Sequence, residues 1–320
     1  GDIIMRETPW CPNIVVNGHF DRLFDGEQTR VKGFLAGAGT SMPAVTDTAL
    51  QSYLGGGNSF QDSWHVINST VSPRSVTLGY RIRGAEGAVV GNVSEVGLYS
   101  GSGSSAESPA SNRPLINRAR VTDELGNPTS ITVLSDEFLE VVWEFVFYAI
   151  EGATGTLTIN IDGTPTSFDY EIRPIAMNYS GYWSVSTGTN SAYRNIGPSP
   201  WLVASTTNNP DISNVAADAS FIDPSASGLP PGHVAGNNFT GRTASAYVAG
   251  SLNRTFTLSL PLNNGNMNVR SIILLSGTAS SPNGGTFGGG MTHQVLLDGP
   301  FEKKPTHIFD LPVNVSMGNA

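Results

Sequence analysis

Five histidines, one cysteine and a few paired carboxylates are the residues that could carry acid–base, nucleophilic or metal chemistry in this sequence. Cys11 stands in Trp10-Cys11-Pro12 with no base near it in sequence, so a nucleophilic thiolate has no visible activator. His19, His65, His233, His293 and His307 are scattered, and none is spaced with another or with Cys11 as zinc ligands are. Asp21, Asp62 and Asp310 lie beside His19, His65 and His307, but one carboxylate with one imidazole is not a ligand set. His19 and Asp21, two apart on a possible helical turn, would not face each other. A structural role is expected for each histidine. Asp123-Glu124 and Asp136-Glu137 fall at strand ends, where solvated turn residues are common. Glycoside hydrolysis needs two carboxylates held at a set separation in a cleft, and nothing in the sequence points to such a pair. Asp211, Asp218 and Asp223 lack the tight Asp-x-Asp-x-Asp-Gly pattern of a calcium loop. The Gly-x-Ser-x-Gly elbow and the Gly-x-x-x-x-Gly-Lys-Ser/Thr loop are both missing. Gly284-Gly285 and Gly288-Gly289-Gly290 lack the strand before and helix after that phosphate binding requires. The sequence therefore predicts no catalytic residue, no cofactor and no metal.

Aromatic side chains offer binding rather than catalysis. Trp143 lies in an alternating apolar run and is expected in the core. Trp183 and Trp201 flank a Ser/Thr/Asn-rich stretch, with Tyr179, Tyr182 and Tyr193 in or beside it. Such aromatics with nearby amides could grip a sugar ring or a neighbouring subunit. Packing beneath long loops is the competing role for the same residues.

The elements that would position these residues are strands. Charged residues make up 13% of the 320, about half the roughly 25% usual in soluble domains. Glycine (37) and proline (20) are plentiful, which favours short strands joined by many turns. Apolar residues at 39% suffice for a core. Val76, Leu78, Tyr80 and Ile82 alternate with Thr77, Gly79, Arg81 and Arg83. Leu139, Val141, Trp143, Phe145 and Phe147 do the same in a run of about 30 Å at roughly 3.3 Å per residue. Leu157, Ile159 and Ile161 pair naturally with Phe168, Tyr170 and Ile172 across Asp162-Gly163-Thr164-Pro165-Thr166, so 156–173 reads as a hairpin. Phe256, Leu258 and Leu260 alternate, as do Phe309, Leu311, Val313 and Val315, and Pro312 puts that last run at a sheet edge. Two helices are expected: a short one over Asn17–Phe24, with Asn17 as N-cap, and a better one over Thr46–Leu54, where Ala49, Leu50, Tyr53 and Leu54 share a face. The stretches 100–113, 205–238 and 278–291 are long, Gly/Ser-rich and without periodicity, and loops of this length are usually functional, disordered or ordered by a partner.

Charge and cysteine usage exclude several classes. A net charge of −9 and a pI near 5.0 argue against nucleic-acid backbone binding, which needs a dense positive patch. One cysteine rules out an intrachain disulfide framework. No stretch approaches the roughly 20 apolar residues of a membrane-spanning helix.

Two blocks echo each other. Arg74-Ser-Val-Thr-Leu78 with Gly91–Gly101 matches Arg254-Thr-Phe-Thr-Leu258 with Gly265–Gly277 as strand, Gly-Asn turn, and a strand ending in Ser-Gly. Each is followed by a Gly/Ser-rich loop and further strands, 115–148 and 293–316. Convergent hairpin grammar and duplicated sandwiches both account for this. On the second account the chain divides into 1–148, a β-sandwich with short helices, and 149–320, a β-sandwich with long loops.

Several segments resemble elements of tailed-bacteriophage virion proteins. Pro12-Asn-Ile-Val-Val-Asn-Gly18 resembles a Pro-Asn-Leu/Ile-Val-x-Asn-Gly opening followed by a short helix. Ala36-Gly-Ala-Gly-Thr-Ser-Met-Pro-Ala-Val-Thr-Asp-Thr-Ala-Leu50 is the most specific match, to a Gly-x-Gly-x-x-x-Pro-x-x-x-Asp-Thr-x-Leu segment of tail and tail-fibre proteins. Asn92-Val-Ser-Glu-Val-Gly-Leu98 resembles the Glu-Val/Ile-Gly strand that follows it. Ile131–Trp143 resembles an Ile-Thr-Val-x-x-Asp-Glu-x-Leu-x-Val-x-Tyr element, with Trp143 in place of Tyr. The likeness covers about 10–148, and the second half matches only loosely. It implies jelly-roll-like sandwiches, a homo-oligomer that contacts other virion proteins, residence in the virion tail after synthesis in the bacterial cytoplasm, and no catalysis. Together with the residue-level reading, the expectation is an all-β tail-fibre or tail-adaptor subunit that meets a host surface glycan in some cases. A head decoration protein and a carbohydrate-binding lectin-like domain are the alternatives.

Overall fold

The computed structural model describes residues 6–24, 30–68, 75–101, 108–148, 153–161, 163–174, 204–207, 241–260, 262, 268–276, 290–316 and 318. Tyr179, Tyr182, Trp183, Tyr193 and Trp201 lie outside the described residues, as do Asp211, Asp218 and Asp223. The fold is all-β. Strands before residue 149 are β1 (Asn13–Val15), β2 (Arg30–Gly37), β3 (Tyr53–Gly57), β4 (Ser59–Asn68), β5 (Ser75–Arg83), β6 (Gly91–Val93), β7 (Glu95–Gly101), β8 (Asn117–Arg120), β9 (Ile131–Val133) and β10 (Glu140–Tyr148). They form sheets ordered β1-β8-β7-β2-β3 and β10-β5-β4, with β6-β9 a small ribbon. After residue 152 come β11 (Ala153–Ile161), β12 (Thr164–Pro174), β13 (Ala204–Thr207), β14 (Gly241–Ala244), β15 (Asn253–Leu260), β16 (Asn268–Ser276), β17 (Gly290–Glu302) and β18 (Phe309–Ser316). These form β11-β12-β17-β16-β13 and β14-β15-β18.

Each half thus sets a five-stranded antiparallel sheet against a three-stranded one, and period-2 alternation decides which side chains meet between them. In the first half Val31, Phe34, Ala36 and Leu98 of the larger sheet share a core with Leu78, Tyr80, Ile82, Val141, Trp143 and Phe145 of the smaller. In the second, Phe168, Val269, Ile272, Val295, Leu297 and Phe301 meet Phe309 and Leu311. The echoing blocks occupy corresponding places. β5 and β15 are both the middle strand of the three-stranded sheet, each paired with the last strand of its half, and β7 and β16 are both internal to the five-stranded sheet.

The expected hairpin is present, with Ile161 opposite Thr164 and Gly163 at φ +84° between them. A positive φ is what a two-residue hairpin turn demands and what glycine supplies without strain. β18 lies at a sheet edge, as Pro312 requires. One recurring device is an aromatic ring laid over a glycine directly opposite it: Tyr99 on Gly33, Trp64 on Gly79 and Tyr170 on Gly155. The missing side chain gives the ring room, and the ring covers backbone that glycine leaves bare.

Of the two helices expected, one forms. The helix α1 covers Asn17–Phe24. Thr46–Leu54 is not helical: Tyr53 and Leu54 enter β3 beside β2, and Leu50 is buried under the larger sheet with Val16, Leu35, Tyr99 and Leu115. The shared face of Ala49, Leu50, Tyr53 and Leu54 was local periodicity over too few residues, and sheet pairing with side-chain capture of Asp47 overrides it.

The end of α1 touches the second half. Asp21 accepts from the Tyr247 hydroxyl and from Gly250 N (2.8 Å), the Phe24 carbonyl accepts from Arg254, and the rings of Phe24 and Tyr247 stack with centroids 5.4 Å apart. His19 in the same helix is buried, and neither ring nitrogen has a hydrogen-bond partner. Burial first, and the nearby Arg22 charge second, depress its pKa to about 3.

Candidate functional site

The described region richest in buried charge lies where residues 38–52 cross the outer face of the larger N-terminal sheet. This strap leaves β2 at Gly37 and returns at β3. Beneath it, Glu95 opens β7, and Arg118 and Arg120 alternate along β8 on the face opposite Ala119, which points into the core. Glu95 is fully buried and Arg118 nearly so.

Most polar groups here are paired; Arg120 Nε is buried without a hydrogen-bond partner. The Glu95 carboxylate accepts from Gly39 N (3.0 Å) and Ser52 N (2.9 Å), one at each end of the strap, and from Arg118 Nε (2.8 Å). Arg118 reaches on to Asp47 Oδ2 (2.7 Å), the Ser41 carbonyl (3.2 Å) and Ser41 Oγ (3.0 Å). Arg120 donates to the carbonyls of Gly39 and Ser94, and the Ser94 hydroxyl donates to Gly39 O at 2.8 Å. Gln51 Oε1 accepts from Thr40 N and Ser41 N, and Asp47 Oδ2 accepts from Ala44 N. Burial opposes the Arg118 charge, but bonding and attraction from Asp47 and Glu95 outweigh it, so its pKa lies above the ordinary arginine value.

Glycine is required at the strap's base for space. A Cβ on Gly39 would lie 2.3 Å from Glu95 Oε1 and one on Gly37 2.5 Å from the same atom. The carboxylate can approach the backbone closely only because both positions lack side chains. Held from beneath at its backbone, Ser41 and Asp47, the strap exposes Met42 (67%) and Val45 (38%) together with Thr40 and Thr46. It is tied to α1 as well, where Asn17 N donates to the Val45 carbonyl at 2.7 Å. The arrangement has no acid–base pair facing a cavity; its chemistry is to hold a short tip in one conformation.

The remaining residues singled out from the sequence are spread apart. The Cys11 sulfur is half-buried, donating to Pro9 O at 3.3 Å and accepting from Thr122 N and Oγ1. Asp123 closes its own turn through Leu125 N and Asn127 N, bonds that hold its pKa below the ordinary value. Glu137 accepts from Leu134 N and pairs with Arg6. His307 bonds to Thr306. Among the described residues no three His, Cys, Asp or Glu side chains converge as metal ligands would. In the second half an open groove of about 550 Å³ is lined by Thr154, Thr156, Asp169, Glu171, Arg270 and Asp298.

Sequence reasoning found the strap segment and Glu95 through their resemblance, but missed Arg118 and Arg120. A signal was present: two arginines spaced by two within the apolar run Leu115–Val121 put one charged face on a strand of a charge-poor chain.

Compared with models of protein families, with curated proteins and with solved structures, the chain matches none.

Proposed function

We propose that this protein is a non-enzymatic assembly subunit of a tailed-bacteriophage virion, placed in the tail or its fibres. The observation that carries the reading is the strap. The segment 36–50, which most resembles tail and tail-fibre proteins, is held by buried Glu95, Arg118 and Arg120 through its backbone, Ser41 and Asp47, and it exposes Met42 and Val45 beside Thr40 and Thr46. A buried ion pair is poor evidence of stability, because desolvation offsets most of its attraction, and its best-attested use is to select one conformation. Here it selects the conformation of a tip whose exposed side chains suit contact with another subunit. Preorganisation of this kind saves the ordering cost that a free loop would incur on binding. The partners of this reading are further copies of the chain and other virion proteins.

Cryo-electron microscopy of the particle that carries this chain tests the proposal. Multimeric density at the tail or fibres, with residues 40–46 against a neighbouring subunit, is the expected result. Density on the head would replace the tail reading with a decoration protein, and absence from the particle would overturn both.

A further inference from the structure

The outer face of the β10-β5-β4 sheet holds a feature that neither the core nor the strap uses. Leu78, Tyr80 and Ile82 of β5 point into the core, so Gly79 between them faces outward. Strand register puts Trp64, Gly79 and Glu144 in one row across the three strands. A Cβ on Gly79 would lie 1.9 to 2.3 Å from Cε2, Cζ2 and Nε1 of Trp64, so the indole lies against the glycine backbone. Its Nε1 donates to Glu144 Oε1 on the far strand at 3.1 Å. The ring therefore bridges the sheet from one edge strand to the other and is fixed at both ends.

The other two aromatic–glycine pairs show what is different here. Tyr99 is fully buried, and Tyr170 packs against the second core. Those rings fill space inside the molecule. Trp64 instead lies on a face whose neighbours Val66, Val142, Val146 and Tyr148 are exposed. The indole N–H needs an acceptor, and here the acceptor stands on the far strand, which holds the ring flat across the sheet.

We propose that Trp64 is a stacking platform for a pyranose ring, making the outer face of this sheet a carbohydrate-binding site. The apolar C–H face of a sugar stacks on an indole, and its hydroxyls, lying in the ring plane, need polar partners at the rim. Those partners are the second Glu144 oxygen, together with exposed Asp62 and Arg81, which lie opposite each other one row along, Arg81 also pairing with Glu140 at 3.6 Å. The size of the face also favours a saccharide over a second copy of the chain. Three strands about 4.8 Å apart and nine residues at roughly 3.3 Å each give about 400 Å². A stable protein interface buries about 800 Å² per partner. The site is independent of the strap and of the virion reading.

Saturation-transfer NMR on the full chain tests this. The probes are malto-, cello- and chito-hexaose, a mannan fragment and an oligosaccharide cut from bacterial lipopolysaccharide. The expected result is transfer to the ring C–H protons of at least one probe. Trp64→Ala should abolish it, and Trp64→Tyr, which keeps a ring over Gly79, should retain it at least tenfold weaker. A Met42→Asp/Val45→Asp strap variant should bind as the unaltered chain does. Transfer to no probe, or transfer that Trp64→Ala leaves unchanged while the fold melts normally, overturns the proposal. Conversion of an oligomer into monomers by Trp64→Tyr, with no sugar signal in the unaltered chain, would show this face to be a self-contact and overturn it equally.

Discussion

The two halves pair a five-stranded sheet with a three-stranded one, yet they bury different things. In the first, His19, Lys32, Glu95, Arg118 and Arg120 are all buried; in the second, Lys303 is the one charged side chain buried among the described residues. Among the described residues the second core is built of apolar side chains, with Phe168, Val269, Ile272, Leu297, Phe301 and Phe309 at its centre. Buried charge in the first half therefore serves something beyond closing a sandwich. Glu95, Arg118 and Arg120 lie under the strap and fix a segment that strand pairing does not reach.

Removing a partner from the charged cluster should give the largest effect. Glu95→Ala leaves Arg118 with Asp47 as its one remaining carboxylate partner and two strap amides unpaired, at a cost of about 3–5 kcal/mol in urea unfolding. Replacing Asp47, Glu95 and Arg118 together by apolar residues of similar size should restore most of that stability, while hydrogen exchange at Gly39 and Ser52 rises sharply. Stability lost and regained with the strap still protected would break the distinction between the halves. In the second half, Leu297→Ala should cost about 2–4 kcal/mol through transfer and cavity terms alone. That loss should be the same at low and high salt, and a salt-dependent loss would show hidden charge coupling.

A pH series sharpens the contrast next. His19 has a folded pKa near 3 against 6.5 unfolded, so the fold prefers its neutral form. Its contribution is complete above about pH 6.5 and is lost progressively as pH falls toward 3, by about 1.4 kcal/mol per unit. At pH 4.5 this amounts to about 3 kcal/mol relative to neutral pH, and His19→Leu should flatten that part of the profile. An unchanged profile would mean that His19 is not buried neutral. A smaller loss of stability is expected of Gly79→Ala, at about 1–3 kcal/mol. Its Cβ would force the Trp64 ring off the sheet, which near-ultraviolet circular dichroism should report.

Alternation and turn chemistry made the fold class legible. Val76 to Ile82, Leu139 to Phe147, the 156–173 hairpin and the edge position of Pro312 all follow from a period of two and from what proline cannot donate. Thr46–Leu54 misled because four residues at helical spacing are weak evidence against a neighbouring strand and a charged anchor 71 residues away, Arg118 to Asp47. The strap was visible as a motif but its reason was not, since Glu95 meets Gly39 and Ser52 only after β2, β7 and β8 have paired. For the same reason Trp64 gave no signal. Its row with Gly79 and Glu144 is a product of register across three strands, and register is set by the whole sheet.

The central claim is that buried charge holds the strap so that Met42 and Val45 can meet another subunit. Met42→Asp/Val45→Asp tests it most directly, because both side chains are exposed and the change should leave unfolding within about 0.5 kcal/mol of the original. Incorporation of this variant into assembled particles, measured by quantitative mass spectrometry against the unaltered chain, is predicted to fall to background. Incorporation at the unaltered level by a chain of unchanged stability would contradict the account.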